Sequence, residues 1–101
     1  MPSLLEEKKI LIGLNIGYYR RARHMTQIEL AESLNISSNY LSQVERGYKS
    51  LSLDKLLQLA EILGVDEKEF LDFSKLSIFV WTLSLNALSL IGRPFPGTRK
   101  L

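Results

Sequence analysis

Ser38, Asn39, Ser42 and Gln43 share one face of a helix at the spacing of their positions, and none of them carries a charge. Their chemistry is hydrogen bonding through short, adaptable groups. An Asn or Gln amide can pair bidentately with the edge of adenine, and a Ser hydroxyl can donate or accept. Ile36, Leu41 and Val44 supply an apolar opposite face. A helix built this way meets the requirements for lying in the DNA major groove and reading base edges.

Other chemistries find no support in the chain. It has no cysteine, so disulfides and thiolate metal sites are excluded, which suits a reducing cytoplasm. His24 is the single histidine and has no acidic partner constellation, so it reads as a surface or loop residue. No Ser-His-Asp set, glycine-rich phosphate loop or metal-ligand cluster is present, and the chain is expected to be no enzyme and to need no cofactor. The start, Met1 to Glu7, lacks the basic lead and apolar run of a signal peptide.

The net charge of +2 conceals a division. All eleven acidic residues fall in residues 1–73, against nine Lys and Arg; residues 74–101 carry four basic residues and no acid. Within the first part, residues 18–50 lean basic through Arg20, Arg21, Arg23, Arg46 and Lys49, whereas residues 51–73 hold six acids against two lysines. Nucleic-acid contact should therefore use residues 18–50. The Arg20, Arg21 and Arg23 cluster reads either as a solvated helix end or as partial phosphate contact, and beside the 38–43 face the second is expected.

Five helices should position these groups. Helix 1 runs from Leu4 or Leu5 to Arg23, with Ile12, Ile16 and Tyr19 inward. Gly13 and Gly17 read as a tolerated weakness, each costing ~1 kcal/mol against alanine, rather than as a packing device. Helix 2 opens on the capping box Thr26-Gln27-Ile28-Glu29, with Ile28, Leu30, Ala31 and Leu34 supplying its apolar contacts. Asn35 ends it in the left-handed conformation that a tight turn requires. Helix 3 is capped by Ser37 or Ser38 and stopped by Gly47. Helix 4 follows Ser52 with Leu53, Leu56, Leu57, Ala60 and Leu63 inward and ends at Gly64. Asp66 to Glu69 reads as a second capping box that opens a short helix 5 burying Phe70 and Phe73.

The motifs Thr26-Gln27…Glu29-Leu30-Ala31…Leu34, Ile36-Ser37…Leu41-Ser42…Val44-Glu45-Arg46-Gly47 and Ser52-Leu53…Leu56…Leu59-Ala60…Leu63-Gly64-Val65 are long and ordered. On them, residues 13–73 resemble the phage-repressor type of helix-turn-helix regulator, also called lambda-repressor-like or XRE-type. The resemblance implies an all-α, five-helix DNA-binding domain over residues 4–73 and a sequence-specific transcriptional regulator of the repressor kind. It also implies roles. Gln27 matches a phosphate-contacting glutamine at the start of helix 2. Ser37, Ser38, Asn39, Ser42 and Gln43 match the recognition helix and its cap. Arg46, Tyr48 and Lys49 match backbone clamps, and Arg20 and Glu45 match an ion pair tying helix 1 to the end of helix 3. Tyr40 admits two readings, a DNA contact or rim packing. The chain departs from the pattern at Asn35, where Gly is usual, and at Leu51, where Pro often precedes the cap.

Residues 74–101 are an apolar appendage. Residues 76–92 carry no charge, and Gly92 to Gly97 breaks any regular element. A dimerising helix is the first reading, with Leu76, Phe79, Val80, Leu83, Ala87, Leu90 and Ile91 in a stripe. A strand is the second and a membrane segment the third, slightly short of the ~20 apolar residues a span needs. The expected partners are double-stranded DNA and a second copy of the chain. The competing reading is an antitoxin-like module that binds a protein partner, with DNA binding secondary.

Overall fold

A computed structural model describes residues 3–74 of the chain. The first of two units, Met1–Leu71, contains every element named here. They are α1 (Leu4–Ala22), α2 (Gln27–Leu34), α3 (Ser38–Glu45), α4 (Leu53–Leu63) and a 3-10 helix (Glu67–Leu71). No strand occurs among the described residues. No helix among them is long and apolar enough to cross a membrane. The expected C-terminal appendage lies outside the described residues.

Each α-helix begins on a hydroxyl cap. Ser3 and Thr26 form full capping boxes with Glu6 and Glu29, while Ser37 accepts from the Tyr40 amide and Ser52 from the Lys55 amide. Every one of these caps satisfies an amide that the helix itself leaves orphaned. The helix ends repeat one motif. His24, Asn35, Gly47 and Gly64 all have φ between 58° and 87°. In each case the next residue's amide reaches back to the carbonyl five residues earlier: Met25 to Arg20, Ile36 to Ala31, Tyr48 to Gln43 and Val65 to Ala60. These are Schellman closures, which consume the last free carbonyls and turn the chain sharply.

The core comprises Ile16, Leu30, Ala31, Leu34, Leu41, Val44, Leu59, Ala60, Leu63 and Phe70. Burying a Leu, Ile or Phe side chain contributes about 1.5–3 kcal/mol. Ala31 is buried on α2, which packs against α3.

Three sequence expectations change here. The fifth element is a 3-10 helix and not an α-helix: Asp66 accepts from the Lys68 amide through Oδ1 and from the Glu69 amide through its carbonyl. The Glu69 carboxylate expected to close a capping box instead receives the Tyr19 hydroxyl at 3.1 Å. Second, the inward face of α4 is rotated: Leu53 is 69% and Leu57 42% exposed, whereas Leu59 is fully buried. Leucines at 53, 56, 57, 59 and 63 cover most of the helix circumference, so their spacing alone does not fix which stripe faces in. Third, Ile28 is exposed on the outer side of α2.

Candidate nucleic-acid interface

The short turn Asn35–Ser37 links α2 to α3. Asn35 enters the left-handed region at φ 59°, ψ 44°, which its short polar side chain tolerates. Ser37 then caps α3 with its hydroxyl 3.0 Å from the Tyr40 amide. Leu41 and Val44 are buried, which fixes the helix rotation. The opposite face follows from that rotation. Ser38 and Asn39 are exposed, and Ser42 and Gln43 are half-buried. Among the described residues, the side chains of these four make no hydrogen bond, so their donors and acceptors are open to a ligand.

The far end of α3 is held by Glu45. Its Oε2 accepts from Arg20 Nε at 2.7 Å and its Oε1 from Arg20 Nη2 at 3.1 Å, a two-point pairing. Oε1 also accepts from Gln27 Nε2 at 3.0 Å. Arg20 donates through Nη1 to the Met25 carbonyl at 2.8 Å. One carboxylate thus joins the end of α1, the start of α2 and the end of α3. The two side chains of the ion pair are only 12% and 9% exposed.

Two glycines on α1 make this junction possible. A Cβ on Gly13 would lie 2.5 Å from the Val44 carbonyl oxygen and 2.6 Å from that of Glu45. Gly13 is therefore a site of close backbone packing, and the expectation of a merely tolerated weakness is wrong. A Cβ on Gly17 would sit 3.3 Å from Glu45 Oε1 and 3.1 Å from Arg21 Nη1, a tighter fit against side chains that can shift.

After α3 the chain turns at Gly47, with φ 87°. The amides of Tyr48 and Lys49 both reach the Gln43 carbonyl, at 2.9 and 3.3 Å. Arg46, Tyr48 and Lys49 are exposed in this loop beside the end of α3. Tyr40 donates its hydroxyl to the Ser50 carbonyl at 2.5 Å and packs against the core. That contact ties the loop to α3 and favours rim packing over a DNA role.

The arginine cluster disperses. Arg20 serves Glu45, Arg21 folds over Gly17, and Arg23 lies against Gly64 at the end of α4. Gln27 sits at the first turn of α2 with its amide on Glu45, so its side chain is oriented by the same junction. One stabilising contact had no readable sequence signal: Lys55 Nζ donates to the Leu34 carbonyl at 2.6 Å, capping α2 from α4. His24 occupies an exposed turn, as expected of a surface residue.

Comparison with known proteins agrees with this geometry. A helix-turn-helix family profile matches residues 16–70. Control protein C.BamHI of Bacillus amyloliquefaciens is 33% identical over 67 residues, spanning 65% of this chain and 83% of that protein. The immunity repressor protein of Bacillus phage phi105 is 39% identical over 54 residues, which are 54% of this chain and 38% of the repressor. Among solved structures, the restriction-modification controller protein C.AhdI from Aeromonas hydrophila superposes with a TM-score of 0.60 at 28% identity. The match covers 63% of this chain and 97% of that one.

Proposed function

This chain belongs to the helix-turn-helix family and is a DNA-binding transcriptional regulator, and we propose that it acts as a cytoplasmic homodimer on a two-fold symmetric operator. In this reading α3 enters the major groove. Ser38, Asn39, Ser42 and Gln43 read base edges, with Ser37 at the groove entrance. Gln27 and the free amides at the start of α2 contact one phosphate strand, and Arg46, Tyr48 and Lys49 contact the other side. The Arg20–Glu45 pair orients α3 without itself carrying sequence information.

The observation that carries the reading is the open polar face of α3 on a helix whose two ends are fixed. Base recognition needs donors and acceptors held at set positions and not already spent within the protein. The four side chains meet that condition, and the Glu45 junction together with the buried Leu41 and Val44 supplies the fixing.

The dimer follows from a physical argument. One short helix reaches only three or four base edges, and each good contact discriminates by about 1–3 kcal/mol. Genomic specificity takes more, and two copies on half-sites one helical turn apart, ~34 Å, double the count. Action is by occupancy of the promoter and requires no catalysis. The test is selection of binding sites from a random duplex pool together with light scattering of the selected complex. The expected result is an inverted repeat with centres about 10 base pairs apart, holding two chains per duplex. A single unrepeated motif bound by one chain would contradict the dimeric operator.

A further inference from the structure

We propose that Lys9, on the N-terminal half of α1, is a DNA-phosphate ligand that extends the interface beyond α3 and its following loop. The position lies on α1 (Leu4–Ala22), ahead of the 16–70 stretch matched by the family profile. The inference rests on the DNA-binding reading and deepens it.

Placement, burial and charge carry it. Lys9 lines a cleft with Arg46, Gly47 and Tyr48, the loop that leaves α3. It also lines the neighbouring cavity, whose other wall includes Lys49 and Ser50. Lys9 therefore shares one cleft with Arg46 and the neighbouring cavity with Lys49, where α1 meets the loop that leaves α3. The register is locked: at Gly47, an added Cβ would fall 2.7 Å from Ile10 Cγ1 and 2.8 Å from Ile10 Cα. The loop backbone thus rests directly on α1 one residue from Lys9.

Burial and charge agree with the role. Lys9 is half-buried, and a lysine so placed can lay its methylene stem on the protein with its ammonium in solvent. Among the described residues, Lys9, Arg46 and Lys49 form no ion pair. Glu6, the acid of the same cleft, keeps its charge but pairs with none of the three; its carboxylate accepts the Ser3 amide at 2.9 Å. These three cations, without an ion-pair partner and beside the end of the recognition helix, supply positive charge for a phosphate strand, where each contact releases a counterion.

The test is binding of the full chain, across a series of KCl concentrations, to a random-sequence duplex pool of about 30 base pairs, long enough for two half-sites. Wild type is compared with Lys9→Gln, Lys9→Arg and Lys68→Gln, the last removing the same charge from the 3-10 helix. Lys9→Gln should weaken binding several-fold at low salt and flatten the slope of log affinity against log salt by about 0.9. Lys9→Arg should keep the wild-type slope, and Lys68→Gln should match wild type. Should Lys9→Gln melt early, Lys9→Met keeps the apolar stem and should show the same flattened slope. A wild-type slope in the neutral variants, or an equal loss in Lys68→Gln, overturns the proposal. No salt-dependent binding by wild type would instead contradict the DNA-binding reading on which it stands.

Discussion

Gly13 on α1 faces the main chain of Val44 on α3, so closely that a Cβ there would lie 2.5 Å from the Val44 carbonyl oxygen. The first helix and the recognition helix are therefore seated backbone to backbone. Gly13→Ala should destabilise the fold by about 1–3 kcal/mol, because overpacking against backbone outweighs alanine's better helix propensity. Gly17→Ala should cost less, since its neighbours are side-chain ends. Urea unfolding of both variants measures the difference, and equal or stabilising effects at Gly13 would refute the close-packing account.

Glu45 accepts from Arg20 and Gln27 together. Glu45→Ala leaves a largely buried guanidinium without its counterion, so it should cost about 3 kcal/mol, well above the ~0–1 kcal/mol of an exposed pair. The double variant Arg20→Met with Glu45→Ala should be more stable than the sum of the single losses predicts. Additive losses in denaturant unfolding would show that the two residues act separately.

Asn35 holds the turn in the left-handed region. Asn35→Gly should be neutral or stabilising by a few tenths of a kcal/mol, and Asn35→Val should destabilise by about 1–2 kcal/mol, since a Cβ branch is strained there. Thermal melts of the two variants should move in opposite directions or separate clearly. A tolerated valine would mean that the turn is not fixed as described.

Tyr40 spends its hydroxyl on the Ser50 carbonyl. Tyr40→Phe should lower stability by about 1 kcal/mol and leave the sequence preference of DNA binding unchanged. A changed preference at any base pair would place Tyr40 in the readout and overturn the rim assignment.

Local rules made much of this legible in the sequence. The capping box at Thr26, the left-handed Asn35 and the buried pair Leu41 and Val44 each depend on residues a few positions apart, and those dependences survive folding unchanged. The direction of α3's polar face follows from them. Local rules fall short where a partner distant in sequence decides. Gly13 is explained only by the carbonyls of Val44 and Glu45, and Arg23 only by the end of α4. The α4 leucines surround the helix, so the choice of Leu59 over Leu53 and Leu57 belongs to packing. His24 closes α1 in the left-handed conformation without the signal that a Gly or Asn would carry.

In the proposed complex α3 reads bases while the following loop grips phosphate. This division is tested most directly by the affinities of Gln43→Ala and Lys49→Ala, each on the selected operator and on a scrambled duplex at fixed salt. Gln43→Ala should lose about 1–3 kcal/mol on the operator and almost nothing on the scrambled duplex, and Lys49→Ala should weaken both alike. Equal losses on the two duplexes for Gln43→Ala would contradict base reading by this face of α3.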